Sequence, residues 1–166
     1  MEEKARSIIK QIQEAFAGVV RGSGVSIREA REIDYHSSRN KKLAARALDT
    51  ETHWNDVPPE VLERNSQYLA FLDAEGMRYY LPAFMTWYLK SDGIIGGEDL
   101  VLNLDPHDKC IRWFNDRFSL LNDEQSLAVL SFLQHVIVTD DYNAEDAQNA
   151  CAKYLGKFAK GSQPRH

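Results

Sequence analysis

The stretch YLAFLDAEGMRYYLPAFMTWYL, Tyr68 to Leu89, is where the reading of the fold is decided. Two short aromatic-rich runs, Tyr68 to Leu72 and Met77 to Leu81, flank the acidic segment Asp73-Ala74-Glu75-Gly76, whose glycine can take a positive φ angle. Runs of this length about a glycine turn predict a β-hairpin. Pro82 then suits the first turn of a helix, because its backbone angle is fixed and its missing amide is not needed there. On that helix Leu81, Phe84, Met85, Trp87, Tyr88 and Leu89 leave almost no polar face, which predicts burial on several sides.

Upstream, Ile8, Ile9, Ile12, Phe16 and Val19 recur every three to four residues and predict a helix from about Glu3 to Val20, ended by Gly22 and Gly24. Ser26 with Glu29 has the capping-box spacing, and starts a short helix ending near Tyr35. Ser38 caps a third, with Leu43, Ala44, Ala47 and Leu48 as the buried stripe and Arg39, Lys42 and Arg46 as a basic face. Pro58 and Pro59 open a brief helix through Leu62.

Downstream, the glycine-rich Ser91 to Glu98 reads as a loop. Leu100, Leu102 and Leu104 alternate with Val101 and Asn103 as in a short strand, which Asp105-Pro106 stops. Ile111 to Leu121 reads as a helix with Trp113, Phe114 and Phe118 inward. Asn122 with Gln125 caps a helix whose apolar run, LAVLSFLQHVIV, is broken only by Ser131, Gln134 and His135. A last helix begins at Asn143, buries Ala147, Cys151, Tyr154, Leu155 and Phe158, and carries acids at its start and lysines at its end, matching the helix dipole. The expectation is a mainly α (α+β) fold: a single helical domain over residues 1–160, with one small antiparallel β-hairpin on its edge and a frayed tail at 161–166. The Pro82 to Lys90 and Leu127 to Val138 helices form its centre.

Composition narrows the function classes. A hydrophobic fraction of 43% and 27% charged residues, with no apolar run near the roughly 20 residues that span a bilayer, predict a soluble protein with no membrane partner. The start, MEEKARSIIKQ, lacks the apolar stretch of a secretory signal, so a cytoplasmic location is expected. Cys110 and Cys151 are far apart and suit a reducing compartment. A net charge of −5 argues against nucleic acid as a partner, because phosphate contacts need clustered Lys and Arg.

No motif of metal, nucleotide or covalent catalysis is complete. His107 and Cys110 make one HxxC pair where structural zinc needs two, and His36, His53 and His135 are scattered. The glycines at 18, 22 and 24 and at 93, 96 and 97 do not fall in a phosphate-cradling order. Cys151 on an apolar face reads as a buried thiol. No catalytic residue, metal ligand or cofactor is therefore assigned. Asp73, Glu75 and Arg78 on the turn, with Tyr79 and Tyr80 beside them, make the candidate binding surface, because one face of a lone hairpin is left uncovered and tyrosines carry much interface energy. The leading expectation is a non-enzymatic protein-binding, immunity-like or regulatory module, with self-association into a homodimer as one form of such contact. The rival is a small hydrolase or ligand-binding enzyme in which Asp73, Glu75, Arg78 and His53 share a pocket. A third reading places nucleic acid against Arg39, Lys42 and Arg46.

Three blocks carry a family resemblance: GSGVSIREAREID from Gly22 to Asp34, the Tyr68 to Leu89 stretch, and RFSLLNDEQSLAVLSFLQ from Arg117 to Gln134. In order and spacing they resemble the DUF6714 family of uncharacterised bacterial proteins, most specifically at Leu72 to Ala83. The likeness covers about Phe16 to Val136 and leaves the final helix outside. It implies a bacterial intracellular protein and a shared fold, and carries over no activity, cofactor or catalytic residue.

Overall fold

The computed structural model describes residues 1–91, 97–105 and 111–161, and within these every regular element is helical, with no strand. The helices are α1 (Glu3–Ala15), α2 (Ile27–Asp34), α3 (Arg39–Ala47), α4 (Pro59–Asn65), α5 (Ala74–Lys90), α6 (Gly97–Leu104), α7 (Ile111–Phe118), α8 (Asp123–Thr139) and α9 (Ala144–Gly161). Two 3₁₀ turns, Trp54–Asp56 and Ser66–Phe71, stand before and after α4. The glycines at 93 and 96, Pro106, the His107–Cys110 pair and the tail from residue 162 lie outside the described residues.

The expected hairpin does not exist. Its first arm is the 3₁₀ turn Ser66–Phe71, and its second arm is the beginning of α5, a single helix that runs through Pro82 to Lys90. The acidic segment is a helix start: the Asp73 carboxylate accepts the Gly76 amide at 2.8 Å, the geometry of an N-cap. Pro82 sits inside the helix instead of opening it, at the cost of one backbone hydrogen bond. From Gly76 to Leu89 every residue except Arg78 is buried, so α5 has no polar face to betray its period. The expected Leu100–Leu104 strand is likewise helix, α6, in which Leu100, Val101 and Leu104 face inward at i, i+1 and i+4 while Leu102 faces out.

Helix α5 is the centre of the molecule. Against it pack α1, α4, α6, α7 and the Trp54–Asp56 turn. Helix α8 lies between α1 and α9, and its Phe132 ring meets Tyr88 of α5 edge-on at 5.2 Å, joining the two groups around one apolar cluster. Helices α2 and α3 form a side pair, with α2 resting on α4 and on the Ser66–Phe71 turn.

The caps read from sequence are largely present. Ser26 and Glu29 close a capping box on α2, Asn122 and Gln125 do the same for α8, and Ser38 accepts the Lys41 amide at the start of α3. Helix α1 stops at Ala15, earlier than expected. The Trp54 indole donates to the Phe16 carbonyl at 3.1 Å and the Gln125 amide to the Ala15 carbonyl at 3.2 Å, while Gly18 turns the chain away with φ at 74°. The stripe expected on α3 is reversed: Ala45 is its buried residue, and Leu43 and Leu48 are exposed.

Candidate binding site beside Arg117

The residues assigned to a binding surface occupy the start of α5, where they hold the fold. Asp73 Oδ1 accepts the Val25 amide at 2.9 Å as well as the Gly76 amide, so one carboxylate oxygen ties α5 to the loop before α2. Glu75 accepts the Ser23 hydroxyl at 2.7 Å on the same loop. Tyr79 and Tyr80 are each only 1% exposed, so their rings are core, stacked edge to face on one another at 4.9 Å. The Tyr79 hydroxyl donates to the Glu51 carbonyl at 3.0 Å, and the Tyr80 hydroxyl accepts from Arg21 at 3.1 Å. Burial pushes the Tyr80 hydroxyl up to about 12. Arg78 is half-buried, with an Nε that meets no acceptor. His53 lies exposed ahead of the Trp54 turn, and among the described residues no hydrogen bond joins it to Asp73, Glu75 or Arg78.

Arg46, one of the three residues of the expected basic face of α3, faces inward. Its guanidinium donates to Glu29 at 2.9 Å and to the carbonyls of Gly24 and Gly22. Arg28 pairs with the buried Asp49 at 2.5 Å, and Arg21 donates to the Asp49 carbonyl at 3.1 Å. Three arginines thus bind the 21–25 loop, α2 and α3 into one polar lattice, while Arg39 is exposed and Lys42 is half-buried on the side of α3 that carries Ala45 and Arg46.

A different constellation stands on α6 and α7. Arg117 is 4% exposed, although its neighbours on α7 at positions 115 and 116 are open to solvent. Its Nη1 donates to the Leu69 carbonyl at 2.9 Å and to Asn103 Oδ1 at 3.3 Å. Asn103 is held in turn by the Asp99 carbonyl, and Asp99 by the Ser66 hydroxyl at 2.6 Å. The Trp113 ring, one helical turn back, covers the guanidinium at 3.6 Å from its centroid, a cation–π contact. Arg117 Nε and Nη2 are buried and meet no acceptor. Burial drags the guanidinium down to about 10, with Tyr154 acting weakly the other way.

Arg117 forms part of the wall of a cavity of about 230 Å³, together with Ala70, Leu102, Asp105, Trp113 and Phe114. Its mouth is apolar and open: Trp113 is 46% and Leu102 43% exposed, and Phe71, next to Ala70, is exposed as well. On the far side of Phe114 a second cavity of about 280 Å³ is bordered by Phe118, Leu121, Lys153 and Tyr154, whose hydroxyl is another buried group without a partner. A half-exposed aromatic ring thus lies over a buried guanidinium two of whose three nitrogens meet no acceptor, and an unmet buried donor costs free energy. The sequence signal was the spacing Trp113-x-x-x-Arg117, which puts ring and cation on one helix face. Trp113, expected to face inward, is 46% exposed, and Arg117 in its place is buried.

Among the described residues no group of three or more His, Cys, Asp or Glu side chains is placed to hold a metal ion, and no helix is long and apolar enough to cross a membrane. The described fold is thus an all-helical protein with a polar lattice at one end of α5 and an aromatic-rimmed cavity by α7. The model of the DUF6714 family, a family of unknown function, matches residues 4–158, and the chain belongs to that family. The match extends past Val136 and takes in most of α9, which the sequence resemblance had left outside. No curated protein and no solved structure matches the chain.

Proposed function

We propose that this protein is a non-enzymatic binding module and that its partner, a protein, docks on the rim formed by Phe71, Leu102 and Trp113. The observation that supports this reading is the exposure of Leu102 and Trp113 on a cavity with an incompletely bonded guanidinium on its wall, with exposed Phe71 next in the chain to its Ala70. Exposed Trp beside Arg is the residue chemistry that dominates interface energetics, and a ring at the centre of such a patch loses its remaining water when covered. The acids at the start of α5 are committed to backbone and hydroxyl donors of the 21–25 loop, an arrangement that serves the fold and leaves the rim as the better surface.

Photo-crosslinking in the source cell tests the proposal. A benzophenone amino acid at Leu102 or Trp113 should give a discrete covalent adduct with one protein, and the same probe at the exposed Val138 of α8 should give none. A discrete adduct the size of two copies of the chain would make the partner a second copy. Adducts that are absent at the rim, or equal at both places, would overturn the reading.

A further inference from the structure

We infer that the cavity beside Arg117 is a carboxylate pocket and that, given the docking surface just proposed, the group it receives is the C-terminal carboxylate of the partner, carried on an apolar last residue. The inference rests on that reading and adds the chemistry of recognition. Its basis is which donors of Arg117 are used. Nη1 is spent on the Leu69 carbonyl and on Asn103. The unused pair, Nε and Nη2, is the side-on edge of the guanidinium, two parallel donors spaced to match the two oxygens of one carboxylate.

The surroundings select among anions. Ala70, Leu102, Trp113 and Phe114 give the cavity an apolar lining, which suits a ligand that is hydrocarbon up to its charged end. Asp105 is buried on the same wall, where an ionised carboxylate penalises a dianion such as phosphate more than a single carboxylate. The two open nitrogens have no exposed surface of their own, and the ring of Trp113 lies over the guanidinium. A side chain borne mid-chain must bring its backbone down with it, whereas a chain end enters a cavity of about 230 Å³ as Trp113 turns aside. Trp54 and Trp87 are buried, so an indole change on binding reports on Trp113.

The test titrates the intact protein with N-acetyl-Ala-Ala-Ala-Leu bearing a free C-terminus, and with the same peptide amidated, by calorimetry and tryptophan fluorescence. The acid form should bind and shift the emission. Amidation should weaken binding about tenfold or more, because it removes the charge that two donors recognise. This comparison needs no variant that might misfold. Arg117→Lys, which keeps the charge and loses the fork, should bind the acid form no better than wild type binds the amide, and Trp113→Phe should abolish the emission change with binding retained. Equal binding of acid and amide, displacement by inorganic phosphate and not by acetate, or no binding at all would overturn the carboxylate assignment. In those cases a rim that still crosslinks to a partner would leave the docking surface standing, and a silent rim would remove both.

Discussion

Gly24 and Gly76 lie backbone against backbone, where the 21–25 loop crosses the first turn of α5. A Cβ on Gly24 would sit 2.6 Å from the Gly76 nitrogen and 2.7 Å from Glu75 Cβ, and one on Gly76 would collide with the Val25 carbonyl. These neighbours are main-chain atoms and a Cβ, none of which can rotate away. Gly24→Ala and Gly76→Ala should each destabilise the protein by about 2 kcal/mol or more, read as a lower urea midpoint at unchanged slope. Asp140 makes a pH-dependent contribution. Burial would raise its carboxyl, but hydrogen bonds from the Tyr88 hydroxyl at 2.5 Å and from Asn143 and Tyr142 outweigh that and hold it below the usual value. A carboxyl lowered in the fold contributes stability above its unfolded value of about 3.9, and loses it as pH falls through the folded value. Asp140→Asn should therefore be less stable than wild type at neutral pH, and the gap should narrow in urea titrations carried below about pH 3.9.

The helices that sequence revealed are those announced by a cap. Ser26 with Glu29 and Asn122 with Gln125 are short-range signals, and both close as capping boxes. Asn122→Ala should cost about 1 kcal/mol by thermal or urea unfolding, because it removes the acceptor for the Gln125 amide at 2.8 Å. Asp73 is an N-cap of the same kind, yet Asp-Ala-Glu-Gly is also turn chemistry, so the segment alone fits a hairpin as well as a helix start. In α5 residues on both sides of the axis are apolar, so neither the period of a helix nor the alternation of a strand could be counted, and Pro82 offered a false beginning. Leu100, Leu102 and Leu104 misled in the opposite sense, since three alternating leucines match a strand while Leu100, Val101 and Leu104 make an inward helical face. The site was less legible than the fold. That Arg117 is buried, and which of its nitrogens go unbonded, depends on Leu69 and Asn103 arriving from two other elements, and no local pattern encodes that.

The molecule as a whole keeps two kinds of surface apart. At the start of α5 arginines, carboxylates and carbonyls pair across the 21–25 loop, α2 and α3. At α6 and α7 apolar side chains face water. Leu102→Ser should accordingly leave the unfolding free energy within about 0.5 kcal/mol of wild type, while removing the adduct formed by a probe at Trp113. Asp73 has one more effect. Because a single carboxylate oxygen receives amides from Val25 and Gly76, which belong to segments about fifty positions apart, the first turn of α5 has no finished cap until the distant loop arrives. Those two amide hydrogens should exchange with deuterium at matching rates. The long central helix is thereby made answerable to the amino-terminal third of the chain, and a nick or deletion near residue 24 should fray α5 from its beginning although it touches none of its residues.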